Sequence, residues 1–266
     1  AVETERVLGS TLPTCVGLCW SSCTNEVDEF IGNVEPSTRS VSTALNANLA
    51  SLFTGGAPTL TSAEIKEVND AYAKMTSINC YRNIDEAVRN KTSYAGTIFL
   101  DDTYASAYFR KGSLAFPPYG ILASSMEHEF IHMYQRDVQG KKVDTDKEKR
   151  DTGMMEFELA FYQGIIRYIH AGYSWTFKGE DGDPSYQSLW TSGLTDPSLI
   201  PQYEREFQTY VASICANGKP TSIDINEFVK WSNIFGEYSR GYSGKGYKFG
   251  NYDYGTSCIN SLLKLY

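Results

Sequence analysis

No apolar run in this 266-residue sequence approaches the roughly 18 residues that a helix needs to cross a bilayer. The sequence also lacks a block of basic residues, and its net charge of −8 is spread over interspersed acids and bases. Nucleic-acid-binding proteins cluster positive charge along one face or stretch of the chain. We therefore expect no membrane span in this chain and no nucleic-acid partner.

The paired CxxC spacings of a structural zinc site are absent, although the chain has six cysteines. Three crowd near the N-terminus and three are scattered: Cys15, Cys19, Cys23, Cys80, Cys215 and Cys258. This arrangement predicts up to three disulfides, each joining an early cysteine to a later one. The alternative is that several cysteines are small buried hydrophobic residues. The chain also starts at Ala1 without an initiator Met, which is compatible with removal of a signal or anchor. From the cysteine usage and the missing initiator Met we expect a secreted, periplasmic or cell-surface protein.

Histidine is rare, with only three in the chain, and two of them lie four residues apart at His128 and His132. In a helix these two side chains lie on one face, one turn apart, and can bind a single metal ion. Glu129 is rotated by roughly 100° from His128, so its carboxylate lies beside the metal rather than on it. There it can act as a general base on a metal-bound water.

A catalytic zinc usually takes three protein ligands and keeps a fourth position for water. Glu156 and Glu158 lie in an apolar segment, and a buried carboxylate normally has a cation or a metal as its partner. Because they lie about 200° apart on a helix, we expect only one to face the histidine helix, while the other reaches solvent or a supporting partner. If Glu156 is the ligand, His170 lies about 21 Å further along the same helix and is excluded, unless the helix breaks at Gly164.

The spacing of apolar residues predicts two scaffold helices, from Ser37 to Phe53 and from a capping box at Thr61–Glu64 onward. Short β-prone runs between Ser93 and Phe116 predict two or three antiparallel strands. A helix from about Ile121 to Val138 follows and carries the histidine pair. A small antiparallel sheet is thus predicted directly before the histidine helix.

The second half of the chain has mostly helical patterns. An apolar and aromatic helix is predicted from Met154 toward Ala171, and further helices at about 200–216, at 224–236 and near the C-terminus. We expect a mainly helical α+β fold in two lobes with a cleft between them. The N-terminal lobe, 1–138, holds an N-terminal cover segment, the scaffold helices, the sheet and the histidine helix, while the C-terminal lobe, 139–266, holds the third ligand and a Gly/Tyr-rich loop.

The HExxH motif of His128 to His132, with sheet before it and an acid-bearing helix after it, resembles the gluzincin branch of the zincin metallopeptidases. In that branch the HExxH helix donates two histidines and a following helix donates a glutamate. The resemblance covers roughly residues 95–170. It implies a zincin-like fold with Zn²⁺ as cofactor, with His128, His132 and Glu156 as ligands and with Glu129 as general base.

The sequence departs from the thermolysin family pattern at Ala160, where an acid would orient a histidine. We therefore expect this support to come from elsewhere, from Glu158 or a backbone carbonyl. No histidine remains to stabilise an oxyanion. The candidates for this role come from the Gly/Tyr-rich loop of residues 236–255, namely Tyr242, Tyr247 and Arg240.

Three functions are compatible with these patterns. The first is zinc-dependent hydrolysis of peptide bonds by a monomer, in an extracytoplasmic protein or peptide substrate that pairs along the strand near Thr97–Leu100. The second is a catalytically inactive zincin-like module that binds glycans or proteins through its Tyr-rich loop. The third is a disulfide-stapled structural protein with a coincidental motif. The metal content of the purified protein ranks the three, and replacing Glu129 by Gln separates the first from the second.

Overall fold

A computed structural model describes residues 44–141, 149–170, 197–215, 219–238, 244–247, 249–250 and 254–265. All of these residues belong to one compact unit of the chain. The predicted cover segment and the three N-terminal cysteines lie outside them, as do residues 37–43 of the first predicted helix and residues 142–148. The division into lobes after residue 138 stays a prediction.

Helices dominate the part of the chain that the structure describes, which confirms the mainly helical α+β class. Within that part, none is long and apolar enough to span a membrane. The α-helices are α1 (Ala47–Leu52), α2 (Ser62–Ser77), α3 (Asn79–Lys91), α4 (Ala123–Met133), α5 (Lys149–His170), α6 (Ile200–Ile214), α7 (Ile225–Tyr238) and α8 (Ser257–Leu263). A π-helical turn, Tyr134–Val138, extends α4 to the end of the predicted histidine helix.

The predicted capping box opens α2. The Thr61 hydroxyl accepts a hydrogen bond from the Glu64 backbone N–H, and the Glu64 carboxylate accepts one from the Thr61 backbone N–H at 2.6 Å. These bonds satisfy donors that the first turn of a helix leaves without partners. A third helix, α3, was not predicted, although Cys80, Ile84 and Val88 recur at four-residue spacing and are all buried.

The sheet consists of β1 (Ile98–Leu100), β2 (Tyr108–Arg110) and β3 (Ser113–Phe116) in the order β1-β3-β2. β2 and β3 form an antiparallel hairpin through a turn at Lys111 and Gly112, which both have positive φ. The prediction of an antiparallel sheet is wrong for β1, which pairs with β3 in parallel. After β1 the chain crosses to the far edge, and the hairpin then returns β3 to the centre in the direction of β1.

The outer edge of β1 is already paired with the segment that follows α1. The Ile98 N–H donates to the Gly56 carbonyl at 2.8 Å, and the Gly55 N–H donates to the Gly96 carbonyl at 3.1 Å. At the opposite edge of the sheet, β2 packs against α4. Of the two outer strands, β2 is therefore the one that borders the histidine helix.

A single hydrophobic cluster extends from Leu49 in α1 to Leu263 in α8. Within it, α4 packs against α2 and α3, and α5 packs against α4, α6, α7 and α8. Aromatic contacts hold the position of α5, since Phe157 lies 5.0 Å from Phe228 and Phe161 lies 5.2 Å from Phe207 between ring centroids. The core thus places α4 and α5, which carry the candidate ligands, side by side.

Two cysteines of the predicted disulfides have described side chains. Cys80 and Cys215 are both buried and carry free thiols in the structure. Burial raises the pKa of Cys80 to about 12 and that of Cys215 to about 11. These two residues therefore fit the alternative of small buried hydrophobic side chains, and disulfides elsewhere in the chain stay a prediction.

Candidate metal centre

The two histidines of α4 lie side by side, with their Nε2 atoms close together. Their Nε2 atoms lie 3.1 Å apart, and the ring planes meet at 80°. The opposite side of α4 is apolar, because Met126, Phe130 and Met133 are fully buried in the core. This amphipathic arrangement fixes both imidazoles on the side of the helix that faces α5.

Glu156 of α5 completes the cluster. Its Oε1 atom lies 3.3 Å from His132 Nε2, and its Oε2 atom lies 3.8 Å from His128 Nε2. The three ligand atoms lie within 4.8 Å of one another. Tetrahedral zinc with bonds of about 2.0–2.1 Å would place its ligand atoms about 3.3–3.5 Å apart. The residues present therefore fit a metal ion, as the sequence motif predicts.

The electrostatics of the cluster separate the two imidazoles. Burial opposes protonation of His132, but the Glu156 carboxylate outweighs burial and raises the pKa of His132. Burial and the neighbouring His132 lower the pKa of His128. The Glu156 carboxylate thus favours positive charge at this cluster.

Glu129 is buried, with 4% of its surface exposed, and it lies outside the group of three ligands. Burial raises the pKa of Glu129 to about 7, while the charge of His132 and a hydrogen bond from the Phe109 backbone oppose this shift. Because Phe109 belongs to β2, the carboxylate lies between the histidine helix and the edge strand. A bound divalent cation would lower this raised pKa of Glu129.

Glu158, the predicted support for a ligand, is completely buried and reaches His132 through an intermediate residue. Its Oε2 atom accepts hydrogen bonds from Gln135 Nε2 at 2.8 Å and from the Tyr254 hydroxyl at 3.0 Å. The Gln135 Oε1 atom lies 2.9 Å from His132 Nδ1. Sequence reasoning missed Gln135 and Tyr254, although the position of Gln135 one turn after His132 is a local signal for the first.

The other residues weighed from the sequence are His170, Tyr242, Tyr247 and Arg240. Helix α5 continues unbroken through Gly164 to His170, so the backbone of His170 lies about 21 Å along the helix from Glu156. The helix break considered at Gly164 is absent, so with Glu156 as the ligand His170 is too far along the helix to join it. Tyr242 and Arg240 lie outside the described residues, and Tyr247 is half-buried. The oxyanion roles of all three stay predictions.

Comparison with known proteins adds no relative: no protein-family model, no curated protein and no solved structure matches this chain. The likeness to the zincins is thus carried by the motif and by the geometry of the three ligands.

Proposed function

We propose that the protein is a zinc-dependent, zincin-like peptidase. The observation that supports this most is the meeting of two imidazoles and one carboxylate from adjacent helices, beside a second, buried carboxylate. A structural metal site has no need of Glu129, which is not a ligand. A hydrolytic site needs such a group as general base.

The donor set favours zinc over other common cations. Ca²⁺ and Mg²⁺ prefer oxygen ligands, whereas imidazole suits zinc and related transition metals. Three protein ligands, His128, His132 and Glu156, leave one tetrahedral position open. When bound, zinc polarises a carbonyl group and lowers the pKa of water.

The residues of the chain supply the proton transfers and the alignment of the substrate. Glu129 takes a proton from the attacking water and passes it to the leaving amine. An extended substrate lies beside β2, the outer strand that packs against α4 and whose Phe109 backbone bonds the Glu129 carboxylate. β2 replaces the strand near Thr97–Leu100 in this role, because the Gly56 carbonyl already occupies the edge at Ile98.

The test is the zinc content and peptide hydrolysis of the purified full chain, handled without chelators. We expect one zinc per chain, and in Glu129→Gln we expect retained zinc with hydrolysis lowered about 10²–10⁴-fold. Glu127→Gln is the matched control, since it neutralises a neighbouring carboxylate of α4 and should keep both zinc and hydrolysis. A chain without zinc contradicts the proposal, and a zinc-loaded chain that cleaves no peptide library supports the binding module instead.

Secretion, a monomeric state and disulfides at the remaining cysteines belong to the same proposal. Secretion and the disulfides are proposed from the cysteine usage of the sequence.

A further inference from the structure

We infer that Gln135 is a positioning residue for the metal centre. It fixes the ring of His132 and is held by Glu158, which is held in turn by the hydroxyl of Tyr254. The inference rests on the proposed metal site and deepens it. Gln135 supplies the support that the thermolysin family pattern would place at Ala160. It reaches His132 from the same helix rather than from α5.

The hydrogen bonds of Gln135 determine the orientation of its side-chain amide. Its nitrogen lies 3.0 Å from the Met155 carbonyl and 2.8 Å from the Glu158 carboxylate, and both of these groups accept hydrogen bonds. A flipped amide would turn an oxygen toward two acceptors, which is unfavourable. The amide oxygen must therefore face His132 Nδ1, at 2.9 Å.

This orientation determines the tautomer of the histidine. An amide oxygen can only accept, so His132 Nδ1 carries the hydrogen and donates it to Gln135. The lone pair then resides on Nε2, the atom that lies 3.3 Å from Glu156 in the ligand cluster. Gln135 thus selects the form of the imidazole that can bind a metal and fixes the plane of the ring.

The network is buried and continues behind Gln135. Both Gln135 and Glu158 have no exposed surface, and Tyr254 has 5%. Lys141 links the two ends of this network. Its backbone N–H donates to the backbone carbonyl of Gln135 at 3.0 Å, and its Nζ lies 3.7 Å from the centre of the Tyr254 ring. Water cannot readily replace a missing partner in such a place, so the loss of one hydrogen bond should move the ring.

The experiment measures Co²⁺ and Zn²⁺ affinity and the visible spectrum of the Co²⁺ form in the full chain. Gln135→Met keeps the length of the side chain and removes both hydrogen-bonding groups. We expect about 10–100-fold weaker metal binding and a changed Co²⁺ spectrum, as outer-sphere partners of histidine ligands typically cause. Gln163→Met is the matched control, a buried glutamine two turns beyond Glu156 on α5, and it should change neither.

A double variant tests the direction of the hydrogen bonds. Gln135→Glu alone places a second carboxylate against that of Glu158 and should weaken metal binding. Adding Glu158→Gln supplies an amide N–H at position 158 that can donate to the new carboxylate at position 135. We expect the double variant to bind metal at least about tenfold more tightly than Gln135→Glu alone. Recovery should be incomplete, because the Met155 carbonyl loses its donor.

The outcomes separate this inference from the proposed function. A wild-type chain that binds neither metal overturns both. A wild-type chain that binds metal, with unchanged affinity and spectrum in Gln135→Met, overturns the positioning role alone. If Gln135→Met does not fold, Tyr254→Phe and the double variant decide. A severalfold loss of metal affinity in Tyr254→Phe, with recovered affinity in the double variant, supports the inference. Unchanged metal affinity in both variants contradicts it.

Discussion

Three glutamates lie around the candidate metal centre, and their surroundings give each carboxylate a different task. Glu156 lies within 3.8 Å of both imidazoles and is partly exposed. Glu129 is buried against β2, and Glu158 is buried behind Gln135, where burial raises its pKa to about 7. The residue type alone therefore does not define the role, which depends on the helix face and on the hydrogen-bond donors that each carboxylate meets.

This difference predicts unequal effects of the same substitution. Glu156→Gln removes a charged ligand and should weaken zinc binding by more than about 100-fold, beyond the usual effect of outer-sphere changes. Glu158→Gln retains an oxygen for Gln135 and Tyr254 and should cost less than about tenfold. Competition with a chromophoric chelator measures both affinities. Equal losses in the two variants would contradict the assignment of Glu156 as a ligand.

The buried thiol of Cys80 should be inert in the folded chain. With a pKa of about 12, only about one thiol in ten thousand is ionised at pH 8, and the thiolate is the reactive form. Because folding raises this pKa, its contribution to stability is present below the ordinary thiol pKa and is lost as the pH rises toward 12. Alkylation followed by peptide mapping should label Cys80 only after denaturation, without a reductant. Labelling that needs a reductant would instead show a disulfide.

At this scale the sequence predicted what short-range geometry controls. The spacing of His128 and His132 depends on one helix, and the choice of Glu156 over His170 depends on helical rise along another. Gln135 could not be assigned in the same way, because its role depends on Met155, on Glu158 and on a tyrosine near the end of the chain. Such contacts are set by the packing of α4 against α5, which no local pattern specifies.

Among the elements, helix α2 shows how far local signals reach. Its capping box was read from the sequence and is present with both hydrogen bonds. The parallel pairing of β1 was not predictable in this way, because the strand runs themselves carry no mark of pairing order. That order depends on the crossover after β1 and on the segment after α1 that covers its outer edge.

The capping box predicts a pH-dependent contribution to stability. Thr61→Ala should lower the free energy of unfolding by about 1 kcal/mol at neutral pH. The hydrogen bonds from Thr61 lower the pKa of Glu64 below its ordinary value of 4.5, so their contribution is present above that pH and is lost as the pH falls through the lowered value. Urea unfolding should therefore show a smaller difference between the wild type and Thr61→Ala in acid.

Ser62→Ala is the control for this prediction, since Ser62 is the next hydroxyl but does not cap the helix. It should change the stability little at either pH. A Thr61→Ala difference that does not depend on pH would show that the Thr61 hydroxyl does not bond the Glu64 carboxylate, since the backbone N–H bond remains in both proteins.

In the whole molecule, the candidate site brings together α4 and α5, two helices that are separate in the sequence. Helix α4 packs on α2 and α3, and helix α5 packs on α6, α7 and α8, within one hydrophobic cluster. The candidate ligands from α4 and α5 meet where these two groups of helices touch. Metal binding should therefore stabilise the contact between them as well as the site itself.

Zinc should accordingly raise the melting temperature of the metal-free chain. A ligand that binds only the folded state at 100 times its dissociation constant adds about 2.7 kcal/mol. For a chain of this size, about 2–4 °C per kcal/mol converts this to an increase of about 5–10 °C. Differential scanning fluorimetry of the chelator-treated protein, with and without zinc, measures the shift. His128→Gln should melt near the metal-free wild type and show little response, and an equal zinc response in this variant would place the binding elsewhere in the chain.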